Sequence, residues 1–295
     1  MLDALCGEGR VSWGHKLVAM KQDATTGTWK LEFQKEDGSI VHHKADMVVG
    51  ADGIRSAVRK ELLEGTMAPL RYLDCLVVLG ICSLDLLERT TLESELLDGQ
   101  TVFQTADGNT RIYLMPYSST SYMWQLSFPM ENEELAKEIS LKGPAALKQE
   151  ALERCGKWHS PIPDILQKTP VDLVSGYPVY DRDLITLEML NTTSKSVTLI
   201  GDAAHPMSPF KGQGANQALL DALSLARSIV RATYKREKTD ISVALEEYHA
   251  EMVERSAVKV KASAEAAQFL HSSVAIQEGN VTRGAAASSG SNVMP

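Results

Sequence analysis

Val197-Thr198-Leu199-Ile200-Gly201-Asp202-Ala203-Ala204-His205-Pro206, followed by Gly212-Gln213-Gly214-Ala215-Asn216-Gln217-Ala218, decides the fold of this 295-residue chain. Residues 197–200 are a short apolar run, as in a strand buried on both faces of a parallel sheet, and Asp202 follows at its carboxyl end, where open α/β sheets bind ligands. Gly201 lets a backbone approach a ligand closely, and Asp202 is placed to accept charge-assisted hydrogen bonds from a polyol. From there Ala215, Ala218, Leu219, Ala222, Leu223, Ala226, Ile229 and Val230 recur at helical spacing, which predicts a long helix buried along that stripe. Gly212 and Gly214 then lie at its N-terminus, where unpaired N–H groups and the positive dipole end favour an anion, a pyrophosphate or a negatively charged ring edge. Either piece alone also fits a turn or a loop. The order of strand, acid, glycines and helix points to a nucleotide cofactor.

A second segment repeats the logic. Asp46-Met47-Val48-Val49-Gly50-Ala51-Asp52-Gly53-Ile54-Arg55-Ser56-Ala57-Val58-Arg59 reads as an apolar strand, a Gly-Ala-Asp-Gly turn and a helix start. Ser56 is the expected cap of the helix that runs through Arg59 to Leu63. Arg55 and Arg59 fall close to Asp52, although such a segment alone is also an ordinary strand-to-helix connection.

With both segments in view, the chain resembles the group A flavoprotein monooxygenases, the family of p-hydroxybenzoate hydroxylase and related FAD-dependent aromatic hydroxylases. Gly50-Ala51-Asp52-Gly53 with Ser56, Val58 and Arg59 is similar to the family's Asp-Gly motif, and Gly201-Asp202-Ala203-Ala204-His205-Pro206 with Gly212-Gln213-Gly214 to its Gly-Asp motif. The resemblance implies an α/β fold: a p-hydroxybenzoate hydroxylase-like FAD-binding domain, N-terminally truncated, with an inserted β-sheet substrate domain. Residues 1–67 and 184–280 would form the FAD-binding domain, residues 68–183 the substrate domain, and residues 281–295 a flexible tail.

The family's opening strand, G-x-G-x-x-G turn and helix, which hold the ADP half of FAD, have no counterpart in the sequence. Gly7-Glu8-Gly9 has Ser12 in the third position, and Gly212-Gln213-Gly214 has Gln217 there. Residues 1–5 resemble the end of an internal helix of the family's first domain, so the chain is expected to be truncated at its N-terminus and to retain FAD weakly or not at all. A missing strand would also leave an exposed sheet edge through which the chain self-associates.

The activity implied is hydroxylation of a small aromatic or other electron-rich substrate, with NADH or NADPH as reductant and dioxygen as oxidant, through a flavin C4a-hydroperoxide. By matching motif positions, Asp202 with Gly201 binds the ribityl chain, and Asp52 with Gly53 and Arg59 helps hold the pyrophosphate region. The amides of Gly212, Gln213, Gly214, Ala215 and Asn216 face the pyrimidine edge of the flavin, and Pro209 stacks near the ring. The sequence names no catalytic acid or base. The alternatives are a related flavoprotein reductase or halogenase, or a non-catalytic fragment; Met123-Trp124-Gln125-Leu126-Ser127-Phe128-Pro129 lacks the second Trp of the halogenase pattern.

Composition sets the outer bounds. A formal net charge of -8 without a basic run argues against nucleic acid as a partner. Cys6, Cys75, Cys82 and Cys155 are scattered, indicating neither a zinc site nor a disulfide framework, and a reducing, cytoplasmic setting is expected. The most apolar stretch, residues 75–84, is too short for a bilayer and reads as a core strand.

Turn signals order the rest. Residues 11–21, 28–34 and 40–44 read as strands joined at Thr26-Gly27 and Asp37-Gly38, with Trp29, Leu31 and Phe33 on one face and His15, His42 and His43 in structural roles. Residues 100–105, 110–115 and 121–128 read as antiparallel strands; if one face lines a pocket, Tyr113, Met115, Tyr122 and Trp124 are placed to hold a flat ring, and ordinary packing is the alternative. Helices follow at 131–139 and 144–155, the second with Pro144 at N1 and Gly156 at its end. Residues 171–180 then read as a strand. Tyr180-Asp181-Arg182-Asp183 reads as surface ion pairing. Residues 241–272 form a long helix with Val243, Leu245, Met252, Val253 and Val260 available for packing, and residues 284–295 a loose tail.

Overall fold

The structure is a computed structural model that describes residues 9–63, 68–191, 195–234 and 241–278. The readings for residues 1–5, for Cys6 and for the tail at 281–295 lie outside the described residues.

The chain forms two compact units, the first built from residues 1–70, 182–207 and 212–260 and the second from residues 71–181, 208–211 and 261–295. In the first, β1 (His15–Gln22), β2 (Trp29–Lys35) and β3 (Ile40–Ala45) make an antiparallel meander in the order β1-β2-β3. Gly27 and Gly38 turn its corners at φ 71° and 82°, a region glycine enters without steric cost. Trp29 and Leu31 are buried on its inner face, and Phe33 packs against them in part.

The strand β4 (Val48–Gly50) pairs in parallel with β10 (Val197–Leu199), so that Gly50 lies opposite Leu199. All three residues of β10 are buried, as the apolar run predicts. A Cβ at Gly50 would stand 2.7 Å from the Leu199 side chain and 2.8 Å from that of Val58, so glycine is what lets α1 (Ala57–Leu62) close over the strand pair. Val48, Val58, Val197 and Leu199 share one core with Met20, Trp29, Leu245 and Met252.

The second unit is a five-stranded sheet in the order β6-β7-β8-β5-β9, with β5 at Leu70–Ser83, β6 at Phe103–Ala106, β7 at Arg111–Ser118, β8 at Ser121–Pro129 and β9 at Val174–Arg182. One face packs Leu76, Val78, Leu114, Trp124 and Phe128 against the helices α2 (Glu133–Leu141), α3 (Pro144–Cys155) and α4 (Ile162–Lys168). On the other face Cys75, Val77 and Val179 pack with Phe210, Ala266, Ala267 and Leu270. Helix α5 (Leu187–Asn191) precedes β10, and α6 (Gly214–Tyr234) and α7 (Ile241–Phe269) follow it. The contacts of Ala266, Ala267 and Leu270 group the end of α7 with the second unit, whereas the sequence reading kept all of 184–280 with the cofactor part.

Several readings need correction. The α6 stripe faces the other way: Leu219, Leu223 and Val230 are 57%, 46% and 53% exposed, while Gln217, Asp221, Ser224 and Ser228 are buried. The cause is a polar network around Asp221 that takes the inward side, described below. Tyr122 and Trp124 do not share a face with Tyr113 and Met115; strand alternation puts Trp124 beside Leu114 in the helix-covered core and Tyr113 beside Gln125 on the opposite face. Asp181 is not a surface ion-pairing residue. It is fully buried and accepts two hydrogen bonds from Arg71, at 2.8 and 2.7 Å, while Arg182 donates to the carbonyl of Ile54. Residues 171–173 form a 3-10 turn before β9, and α4, absent from the sequence reading, carries Pro163 in its first turn, where proline is tolerated. Val243 is exposed, unlike Leu245, Met252 and Val260.

Candidate functional site

The site is built in the first unit, where β10 ends. Ile200 closes the strand pairing by donating its N–H to the Gly50 carbonyl at 2.9 Å, and the chain then turns through a short 3-10 segment at Gly201–Ala203. Gly201 has φ +58°, and a Cβ there would lie 3.0 Å from the Cβ of Ala218 on α6. Backbone conformation and close helix approach both require glycine at this position. The carbonyl of Gly201 accepts the N–H groups of Ala204 and His205, each at 2.9 Å.

This turn leaves Asp202 exposed, and no hydrogen bond from a described residue reaches its carboxylate. Gly214, the first residue of α6, stands beside it; a Cβ there would meet Asp202 Oδ1 at 3.8 Å. The surrounding protein raises the Asp202 carboxyl above its ordinary range by desolvation, and His205 pulls it partly back. A carboxylate with unsatisfied acceptors beside a helix N-terminus suits a neutral polyol that carries a polar, partly negative ring. Gly212, at φ +60°, has open space where a Cβ would point. The first-turn residues Ala215 and Asn216 are exposed, and the carbonyl of Gln213 accepts the N–H of Gln217 at 3.0 Å.

The Asp-Gly segment meets the same turn. Asp52 Oδ2 accepts the N–H groups of Ala57 and Val58 at 2.7 and 3.3 Å, and Ser56 Oγ accepts that of Arg59 at 2.8 Å, so the two side chains together cap α1. Gly53, at φ +79°, has open space at its Cβ position. Arg59 is 1% exposed and donates from Nη1 to the carbonyls of Ala203 and Ala204 at 3.0 and 2.5 Å, bracing one motif against the other. Burial, with Arg182 nearby, lowers its guanidinium to about 10. Its Nε and Nη2 are buried and have no partner among the described residues.

Sequence reasoning missed the buried network beneath the turn. Asp221 Oδ2 accepts the Gly201 N–H at 2.7 Å and His205 Nε2 at 2.6 Å, and Arg255 Nη2 donates to Asp221 Oδ1 at 2.9 Å. Arg255 Nη1 donates to Gln217 at 2.8 Å, and Ser224 donates to Glu251, which faces Arg255. Burial pushes the Asp221 carboxyl up, but the hydrogen bonds from His205, Gly201 and Arg255 outweigh it and hold the group below its ordinary range. The signal was present: Gln217, Asp221, Ser224 and Ser228 make a polar stripe at helical spacing.

Of the residues predicted to form the site, Asp52, Gly53, Arg59, Gly201, Asp202 and Gly212 to Asn216 all lie in the first unit, and Asp202 and Gly214 stand side by side. Pro209 opens a 3-10 turn, Pro209–Lys211, whose residues group with the second unit. The free acceptor at Asp202 and the open space at Gly212 fit a flavin with its ribityl chain. Among the described residues, no cluster of His, Cys, Asp or Glu could hold a metal ion, and no helix is long and apolar enough to cross a membrane.

Comparison with known proteins shows the family. The family model described as FAD binding domain matches residues 3–263. The aurachin C monooxygenase/isomerase of Stigmatella aurantiaca is 30% identical over 213 residues, covering 72% of this chain and 48% of that protein. The phenazine 1,6-dicarboxylic acid hydroxylase PhzS of Lysobacter antibioticus is 30% identical over 226 residues, covering 72% and 49%. The chain thus spans about half the length of each of these relatives. Among solved structures, 2,6-dihydroxypyridine-3-hydroxylase of Arthrobacter nicotinovorans superposes with a TM-score of 0.74 at 17% identity, covering 95% of this chain and 70% of that one. Klebsiella pneumoniae HpxO, complexed with FAD and uric acid, gives 0.71 at 22% identity, covering 92% and 61%.

Proposed function

The chain belongs to the FAD binding domain family of FAD-dependent aromatic monooxygenases, and from that premise we propose that it takes part in NAD(P)H- and dioxygen-dependent hydroxylation of a small aromatic substrate. The observation that carries this reading is the Asp202 carboxylate, unpaired among the described residues and set beside the first turn of α6. The bound FAD would supply the redox chemistry, with NADH or NADPH as reductant and dioxygen as oxidant.

The work of the chain's own residues is to hold and orient. Asp202 accepts hydrogen bonds from the ribityl hydroxyls, and Gly212 allows the ring to lie close to the backbone. The N–H groups of Gly214, Ala215 and Asn216, with the positive end of the α6 dipole, stabilise negative charge on the pyrimidine edge of the ring. Arg59 and Asp52 stiffen the adjoining turn and the start of α1, so the clasp is formed before the ligand arrives. Pro209 is assigned to the ring side on resemblance, and residues 68–183 to substrate binding on the same ground.

Two further features complete the reading. The free thiols Cys75, Cys82 and Cys155 are buried, which suits a reducing, cytoplasmic compartment. The strand pair β10-β4 has open edges among the described residues, and with Leu219, Leu223 and Val230 exposed the chain is expected to associate with itself.

Incubation of the chain with excess FAD, NADH or NADPH, and a panel of phenols and N-heteroaromatic acids tests the activity. The expected result is a product carrying one oxygen from labelled dioxygen. Nicotinamide oxidation with no oxygenated product under any condition contradicts the hydroxylase reading.

A further inference from the structure

We propose that Asp221 is the positioning residue of the flavin clasp: its buried carboxylate fixes the Gly201–His205 turn in the orientation that directs Asp202 outward to the ribityl chain. The inference rests on the flavin reading above and adds a residue that itself lies away from the ligand side. Both ends of the turn hang on a single oxygen, since Asp221 Oδ2 accepts the Gly201 N–H at 2.7 Å and His205 Nε2 at 2.6 Å. The carboxylate cannot rotate away, because its other oxygen is held by Arg255 at 2.9 Å and Arg255 is in turn held by Gln217. Asp221 is 0% exposed and His205 3%, so water offers no substitute for a lost bond.

Among the described residues Asp202 has no hydrogen-bonding tether of its own. Its direction is inherited from the turn, whose backbone lies so near α6 that a Cβ at Gly201 would stand 3.0 Å from the Cβ of Ala218. The turn is held on its other side by Arg59, through the carbonyls of Ala203 and Ala204. Asp221 alone secures the N–H of Gly201, the residue from which the Asp202 side chain is aimed. His205 Nδ1 is buried with no partner among the described residues, so the imidazole depends on Asp221 for the hydrogen bond that orients it.

A double-mutant cycle in the full chain tests this, with FAD titrated by fluorescence quenching into wild type, Asp202→Ala, Asp221→Asn and the double variant. If Asp221 acts through Asp202, Asp221→Asn weakens FAD binding about tenfold in the wild-type background and less than about twofold in the Asp202→Ala background. Equal losses in the two backgrounds, which a purely structural role would give, overturn the proposal. Amide hydrogen exchange without flavin supplies an independent readout: Asp221→Asn is expected to speed exchange at Gly201 and His205 by about tenfold or more. Unchanged protection overturns the proposal whatever the flavin data show. Weak FAD uptake by the wild-type chain is expected from the sequence and leaves the cycle to be run with riboflavin; a wild-type chain that takes up neither flavin at saturating concentration overturns the flavin reading instead, and the exchange data then decide whether Asp221 holds the turn. Should Asp221→Asn not fold, His205→Leu, which has no donor, removes one of the two turn bonds and carries the same cycle: a loss confined to the wild-type background supports the proposal, and equal losses contradict it.

Discussion

His249, on α7, is 4% exposed and pairs with the buried hydroxyl of Thr198 at 2.8 Å. Burial lowers its imidazole from 6.5 to about 4, so the folded chain keeps it neutral where the unfolded chain would protonate it. The unfolded state therefore binds more protons between these values, and stability contributed by the neutral ring is lost as pH falls from 6.5 toward 4. The expected loss is up to about 3 kcal/mol, read as a falling urea midpoint, and His249→Asn should flatten that slope. An acid slope identical in the variant would contradict the assignment. Cys75 and Cys155 are pushed up to about 12, desolvation by burial being the first cause in each, so neither should react with a disulfide reagent at pH 8 until the chain unfolds. Peptide mapping of the labelled protein checks this, and rapid native labelling of either thiol would contradict it. At this scale the place of Asp202, just past the end of β10, was legible because an apolar run marks the strand that precedes it. Arg59 was legible as part of a motif but not as a brace, since what a guanidinium touches depends on a segment more than a hundred residues away in sequence. Asp221 drew no reading, because attention to the apolar residues of α6 passes over the polar ones between them.

Elements were legible wherever the local pattern and the tertiary environment agree. The meander, the β4 and β10 strands and the Ser56-capped α1 follow from alternation, glycine turns and a capping serine. Ser56→Ala should therefore cost about 1 kcal/mol, visible in a thermal melt. The side of α6 that faces inward could not be read from hydropathy, because charged and hydroxyl groups that satisfy one another were buried in place of leucines. The pairing of β5 with β8 offers a sharper test. Gly80 lies opposite Trp124, and a Cβ there would come 2.4 Å from the indole, which is fully buried and donates to Thr169 at 2.9 Å. The ring has nowhere to move, so Gly80→Ala is expected to destabilise by about 1–3 kcal/mol or more, read as a lower urea midpoint at unchanged slope. Wild-type stability in that variant would contradict the register.

At the scale of the whole molecule, the order of the two motifs identified the family because each motif pairs a strand end with a helix start, and local sequence fixes both. The assignment of chain segments to units depended on packing of distant segments. The end of α7 and Leu270 just after it join Cys75, Val77 and Val179 through Ala266, Ala267 and Leu270, too few apolar residues to give a periodic signal that reveals their neighbours. Open strand edges and an exposed apolar side of α6 lead to the expectation that apparent mass in light scattering rises with concentration, and that Leu223→Lys reduces the rise. The central proposal is that the Gly201-Asp202 turn and the α6 N-terminus act together as the ribityl and ring end of a flavin site. The most direct measurement compares binding of riboflavin and of lumiflavin, which lacks the ribityl chain, to wild type and to Asp202→Asn by fluorescence quenching. Riboflavin should bind saturably and about tenfold tighter than lumiflavin, and Asp202→Asn should bring it down to the lumiflavin value. Equal affinity of the two flavins for wild type, or riboflavin binding that ignores Asp202→Asn, would contradict the account.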